Sequence, residues 1–172
     1  MSLLAVTVLG RDRPGIIAEA TGALTDLGGN LEDSSMTLLR GHFAMTLVVR
    51  TDASADQVRA ALAPRFDDDG LAVFVIALDA SSSGAPAGNG YVLSVHGADR
   101  VGIVAAITAV LAEHGGNVTD LTTRLAGALY ILVAEVELPA GADAAVLAQR
   151  LTDTARELGV EATLRPAETD VL

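Results

Sequence analysis

The sequence predicts an α+β protein of two ferredoxin-like βαββαβ domains, each a four-stranded antiparallel sheet with two helices on one face. One observation is a duplicated stretch: residues 10–33 return 87 positions later as residues 97–120, with 12 of 24 positions identical without gaps. The other is that the same order of strand and helix patterns surrounds each copy. An 87-residue offset exceeds the roughly 20–50 residues of solenoid repeats and fits a duplicated small domain.

In the first half, apolar residues alternate from Leu4 to Val8 as in a strand, and a 3.6-residue period predicts a helix from Ile16 to Leu27. Gly28 and Gly29 end this helix, because glycine adopts the left-handed C-terminal position at little cost. Two strands joined by a turn, a helix capped by Ser54 or Asp52, and an apolar strand typical of one covered on both faces complete this half. We place them at residues 30–39, 43–49, 54–66 and 71–78.

The second half repeats this order after a stretch rich in Ser, Gly, Ala and Pro. Its strands are predicted at residues 91–95, 117–125, 130–136 and 160–165, and its helices at residues 102–114 and 144–158. We therefore assign residues 1–80 to the first domain, 81–89 to a linker, 90–166 to the second domain and 167–172 to a tail.

The amino-acid composition argues against several classes of function. The 172 residues carry 11 Lys and Arg against 22 Asp and Glu, for a net charge of −11, and contain no cysteine. Direct binding to nucleic acid is not expected, because the chain is acidic and has no run of basic residues to neutralise phosphates. Disulfides and Cys-ligated metals are excluded. The apolar run Leu3 to Leu9 is too short for a signal peptide or a membrane span, so we expect a cytoplasmic protein without membrane contact.

The turn after the first strand carries the most informative motif. It reads Asp12-Arg13-Pro14-Gly15-Ile16 and returns as Asp99-Arg100-Val101-Gly102-Ile103. Unpaired N–H groups and the dipole make a helix N-terminus a seat for a carboxylate or phosphate. In each copy the glycine admits either a ligand or close helix–strand packing. The aspartate caps the helix or contacts a ligand ammonium, the arginine pairs with a carboxylate or faces solvent, and the proline suits the first helical turn.

The second motif is Gly-Gly-Asn, which ends the first helix of each half at residues 28–30 and 115–117. A helix stop followed by a turn explains both glycines, but does not require asparagine in both copies. Asn30 and Asn117 each offer a donor and an acceptor, which suits a polar group of an amino acid. We find no nucleophile with a matching base and no metal spacing among the histidines, so neither a cofactor nor a metal is expected.

At these two motifs the chain resembles the ACT domain family, small βαββαβ regulatory modules that commonly bind amino acids. The resemblance covers nearly the whole chain, twice, and the tandem arrangement is similar to the glycine cleavage system transcriptional repressor family. It implies ligand sites where the first turn of one domain faces the second strand of another, which pairs residues 10–16 with Asn117 and residues 97–103 with Asn30. The second copy departs at Val101, where the family favours proline.

The working hypothesis is a non-enzymatic, amino-acid-sensing regulatory protein that acts on transcription or metabolism through a protein partner. One alternative is a structural or adaptor protein that keeps the fold without a ligand, which the departure at Val101 favours. Another is a small-molecule enzyme on the same scaffold, against which the missing catalytic groups count. We also expect a homodimer, because Leu129, Ile131 and Val133 form an apolar patch on the sheet face that lacks helices.

Overall fold

The computed structural model describes residues 2–66, 70–79 and 88–167. The chain divides into two units, Met1–Gly84 and Ala85–Leu172. The division falls within residues 81–89, where the sequence predicts a linker; most of that linker lies outside the described residues, and the last of its residues already belong to a strand that begins at Gly88. The predicted tail lies outside the described residues except for Ala167.

The first unit has the element order βαββαβ. Its elements are β1 (Ser2–Arg11), α1 (Ile16–Asp26), β2 (Asn30–Leu39), β3 (His42–Thr51), α2 (Ala55–Phe66) and β4 (Ala72–Leu78). The strands form one antiparallel sheet in the order β2-β3-β1-β4.

The second unit repeats this arrangement. Its elements are β5 (Gly88–Ala98), α3 (Ile103–Glu113), β6 (Asn117–Ala126), β7 (Leu129–Pro139), α4 (Ala144–Glu157) and β8 (Val160–Pro166), with the sheet order β6-β7-β5-β8. The predicted fold of two ferredoxin-like domains is confirmed, down to which residues form each strand and helix within a few positions.

Each unit has its own core between the sheet and its two helices. Because side chains alternate along a strand, every second residue of β1 and β3, such as Val6 and Leu47, points to the helices and is almost fully buried. The helices pack against these strands with residues three or four positions apart, such as Val58 and Leu62 of α2, which are also fully buried. The two periodicities in the sequence therefore meet in one apolar layer.

The expectation that residues 71–78 form a strand covered on both faces is wrong. In the structure β4 is an edge strand that pairs only with β1. Phe74 and Ile76 lie on the face without helices and are 57% and 60% exposed. A continuous apolar run predicts a strand of this length but does not show how many of its faces are covered.

The caps of two helices agree with their sequences. At the start of α2, Gln57 N–H donates to Ser54 Oγ while Ser54 N–H donates to Gln57 Oε1, a reciprocal capping box that identifies Ser54 as the cap. At α4, the carboxylate of Asp143 accepts from the N–H groups of Ala145 and Val146, each at 3.0 Å. Within residues 2–66, 70–79 and 88–167, no helix has both the length and the apolar composition needed to cross a membrane.

Candidate functional site

A cavity of about 580 Å³ opens beside the turn between β1 and α1 in the first unit. The turn and the first residues of α1 line one side of it, and side chains from β2 and β3 line the other. Five of the predicted site residues are among the lining groups, which are Asp12, Arg13, Pro14, Gly15, Ile16, Ile17, Ala18, Met36, Leu38 and Phe43. The structure therefore brings the first motif together with an apolar wall, which consists of Met36, Leu38 and Phe43.

The two turn glycines are present for their backbone conformation. Gly15 and Gly102 precede α1 and α3 with φ of 92° and 96°, a left-handed region that other residues adopt only with strain. A Cβ added at Gly15 would come no closer than 3.4 Å to the described part of the chain, at Glu19 Oε1, and one added at Gly102 would find no atom there within 4 Å. The interpretation that these glycines permit close helix–strand packing is therefore wrong, and the space beside them is open.

The N-terminus of α1 has no side-chain cap within the described residues. The first backbone bond of the helix runs from Glu19 N–H to Gly15 O at 2.9 Å, so the N–H groups of the three preceding residues lie outside the helical ladder. Asp12 does not cap the helix, and its own N–H donates to Gly41 O at 3.0 Å, which ties the turn to the β2–β3 connection. Capping by Asp12, and by Asp99 at the equally uncapped α3, is therefore wrong.

Pro14 lies one residue before the N-terminal position at Gly15, so it does not belong to the first helical turn as predicted. Its fixed φ restrains the turn instead. Ile16, like Ile103 in the second unit, is only 2% exposed, and its side chain packs in the core. Both isoleucine side chains hold the start of the helix on the sheet.

Arg13 is held by a carboxylate of its own domain. Its guanidinium donates to Glu19 Oε1 at 2.9 Å and to Glu19 Oε2 at 2.8 Å, and also to Pro14 O at 3.1 Å. The hydrogen bond from Arg13, helped by its positive charge, lowers the pKa of Glu19. Arg13 is therefore about a quarter exposed and paired with Glu19, and the pair forms one side of the turn.

The second unit keeps the backbone of this turn but changes some of the side chains around it. Val101 occupies the position of Pro14 and is fully exposed, at 102%. Ala106 stands where Glu19 does, so Arg100 lacks that partner; it lies instead beside the turn after α4, 3.3 Å from where a Cβ of Gly159 would be. Thr123 replaces Met36 of the apolar wall. The two turns are alike in conformation and different in chemistry.

The asparagines of the second motif lie far from the turn of their own domain. Asn30 pairs with Arg50, which pairs in turn with Leu3 near the start of β1, whereas Asp12 follows the end of β1. Eight residues of strand separate Leu3 from Arg11, which is about 26 Å. Asn117 and the turn at Gly102 are related in the same way in the second unit. The two motifs of one domain therefore lie too far apart to contact the same small ligand.

Five residues that line this cavity were not predicted as site residues: Ile17, Ala18, Met36, Leu38 and Phe43. Glu19, which holds Arg13 at the turn, was not predicted either. Met36 and Leu38 are about half exposed on β2, all of whose residues are exposed. Apolar side chains two positions apart on such a strand are a signal that the sequence does contain. Glu19 gives no such signal, because its contact with Arg13 depends on the conformation of the turn.

Comparison with known proteins gives matches over most of the chain. The ACT domain family matches residues 2–75 and again residues 91–165. A UPF0237 protein of Methanopyrus kandleri is 38% identical over 78 residues, which is 44% of this chain and 87% of that protein. The glycine cleavage system transcriptional repressor of Escherichia coli is 25% identical over 167 residues, covering 94% of this chain and 88% of the repressor.

A solved structure agrees with these matches. The crystal structure of an unknown protein from Galdieria sulphuraria has a TM-score of 0.83 and 31% identity, over 96% of this chain and 98% of that one. The fold, the duplicated turn motif and the two family matches, which together span most of the 172 residues, lead to the same assignment. The chain belongs to the ACT domain family.

Proposed function

We propose that the protein is a regulatory amino-acid sensor whose ligand binds in the cavity beside Gly15. The observation that carries the proposal is the composition of this cavity. It combines an uncapped helix N-terminus, a carboxylate and an apolar wall within one domain. A free amino acid has the complementary groups.

The ligand carboxylate is assigned to the N–H groups at the start of α1. These groups carry the positive end of the helix dipole, and the described part of the chain places no side-chain acceptor on them. Asp12 lines the same cavity and is exposed, so its carboxylate is available to the ligand ammonium. An apolar ligand side chain then lies against Met36 and Leu38, which gain burial from it.

The family assignment and the repressor relative over most of the chain support a regulatory role. A regulator without a basic surface acts on transcription or metabolism through a protein partner. Ligand binding shifts its conformational equilibrium only by as much as the ligand prefers one state. A ligand that also contacts a second copy of the chain in a homodimer would have that preference.

A single substitution tests the placement without straining the turn. Ala18 is exposed in the first turn of α1 and lines the cavity. Ala18→Glu puts a negative charge where the ligand carboxylate is expected, and the same charge stabilises a helix N-terminus by about 0.3–1 kcal/mol. The variant is therefore expected to be at least as stable as the wild type and to bind the ligand at least tenfold more weakly, about 1.4 kcal/mol.

The matched control is Ala105→Glu, the same change at the same position of α3 in the second unit. A thermal-shift screen of the twenty amino acids selects the ligand, since binding to the folded state raises the melting temperature. Calorimetry then measures its affinity for the wild type and both variants. Equal affinity for Ala18→Glu and the wild type would show that the carboxylate lies elsewhere.

The alternative of an adaptor that has lost its ligand is favoured by one observation in the second unit. Val101 is fully exposed and the Arg–Glu pair of the first turn is missing there. If no amino acid raises the melting temperature at millimolar concentration, the adaptor function is the better account of both units.

A further inference from the structure

A second polar site lies in the second unit, on the sheet face that lacks helices and at the end of the sheet away from the turn at Gly102. There Glu137 of β7 pairs with Gly90 of β5 on one side and with Asn117 of β6 on the other. Residues paired across neighbouring strands point to the same face. Glu137 Oε2 is fully buried and has no hydrogen-bond partner among the described residues.

The first unit shows what this position contains when it is internally neutralised. The equivalent row there is Leu3, Arg50 and Asn30. Arg50 donates through Nε and Nη2 to the carboxylate of Glu32, the extra residue of a bulge in β2. The charge is therefore balanced within the first domain.

The second unit changes three of these positions together. Glu137 replaces Arg50, Thr119 replaces Glu32 at the same bulge, and Gly90 replaces Leu3. The domain keeps a negative charge, loses the positive one, and loses the side chain that would fill the space beside it. An external cation restores the balance that the first unit achieves by itself.

The space around Glu137 fits a small molecule. Glu137 lines two adjoining cavities of about 260 and 270 Å³. Asn117 lines the first, and Gly90 and Thr119 line the second. The carboxylate thus stands between two cavities, with an amide side chain in one of them.

We propose that Glu137 supplies the negative charge that binds the primary ammonium group of a small molecule, next to the Asn117 that the family resemblance already places at a ligand site. An ammonium carries three donors and no acceptor, so it satisfies the buried oxygen of Glu137 and the amide oxygen of Asn117 together. A metal ion is a poorer match, since the described residues contain no group of three His, Cys, Asp or Glu side chains able to hold one. All of its residues belong to the second unit.

The test uses a probe that has an ammonium and no carboxylate, so that it does not require the helix N-terminus. Glycinamide is titrated to high millimolar concentration into ¹⁵N-labelled protein at pH 6.5, well below the α-amino pKa of about 8. The backbone amide of Glu137 and the side-chain amide of Asn117 are expected to shift in a saturable way. N-acetylglycinamide, which lacks the ammonium, is expected to leave both unchanged.

Two variants decide whether Glu137 is responsible. Glu137→Gln is expected to weaken binding at least tenfold. Glu161→Gln removes the same charge from β8 on the same sheet face, outside both cavities, and is expected to retain the wild-type affinity. Equal weakening by both would leave only general electrostatic attraction and would overturn the proposal.

A double variant separates loss of the site from loss of the fold. Glu137→Arg with Thr119→Glu rebuilds the pair that Arg50 and Glu32 form in the first unit. It is expected to remain folded, with a melting temperature no lower than that of Glu137→Gln, and to give no response to glycinamide. Shifts at Asn117 that persist in this variant, or that N-acetylglycinamide also produces, would contradict the assignment.

Discussion

Replacing either of two glycines of the same helix with alanine is expected to change stability in opposite directions. Gly15 precedes α1 with φ of 92°, whereas Gly22 lies inside α1 and has φ outside the left-handed region. A Cβ at Gly22 meets no described atom within 4 Å beyond the helix backbone, and one at Gly15 meets nothing closer than 3.4 Å. Backbone conformation therefore decides both outcomes.

The magnitudes follow from that conformation. Left-handed backbone costs an alanine about 1–2 kcal/mol relative to glycine, and the stiffer unfolded chain returns about 0.4–1 kcal/mol. Gly15→Ala is therefore expected to lower the free energy of unfolding by about 1 kcal/mol. Gly22→Ala should raise it by about 0.5–1 kcal/mol, because glycine in a helix interior is less favourable than alanine by that amount.

Urea titration followed by circular dichroism measures both changes, with calorimetry as a second probe. In a domain of this size 1 kcal/mol corresponds to a shift of roughly 4–8 °C in melting temperature, so the two variants should melt on opposite sides of the wild type. If Gly15→Ala is as stable as Gly22→Ala, the turn before α1 is not left-handed in solution. The open helix N-terminus on which the proposed site depends would then be wrong as well.

Three other predictions concern the ion pair, the core and assembly. Arg13 lowers the folded-state pKa of Glu19, so the pair stabilises the domain above about pH 4.3, the usual unfolded value. This stabilisation is lost as pH falls through the folded pKa. Urea titrations at several pH values should therefore show Glu19→Gln less stable than the wild type at neutral pH and equally stable at low pH. Leu132→Ala, at a fully buried position, should lower the free energy of unfolding by about 2–5 kcal/mol, whereas Leu39→Ala, at a 63% exposed one, should change it by less than about 0.5 kcal/mol in the same titrations. Leu129 and Val133 are 43% and 41% exposed on the helix-free face, and we expect a second chain to cover them. Light scattering should therefore give twice the chain mass of 17.5 kDa for the wild type and a mass closer to that of a single chain for Val133→Glu. A wild-type monomer throughout the micromolar range would contradict this.

The fold was predictable because local patterns and packing agree at nearly every element. Gly28 and Gly29 end α1 as predicted, with Gly28 N–H on Thr25 O and Gly29 N–H on Leu24 O. The duplication added a second, independent reading of each element. The extent of burial was harder to predict: the apolar residues of β4 predict a strand, but Phe74 is exposed because it lies on the sheet face that the helices do not cover.

The candidate site was predictable in its backbone and not in its side-chain contacts. The repeated glycine correctly marked an open helix start at Gly15. The partner of Arg13 is six residues away, and the two meet only because the left-handed turn brings the guanidinium back over the first turn of α1. The buried, unpaired oxygen of Glu137 could not be predicted from the sequence either, because it is recognised only when Glu137 is compared with Arg50 at the equivalent position of the first sheet.

Amide chemical-shift mapping is a direct test of whether an amino acid binds at the N-terminus of α1. The protein labelled with ¹⁵N is titrated with the amino acid that most raises its melting temperature. The account predicts that the amides of Ile16, Ile17 and Ala18 show the largest shifts and that Ala18→Glu abolishes them. Shifts confined to residues away from this turn, or none at saturating millimolar ligand, would contradict the claim.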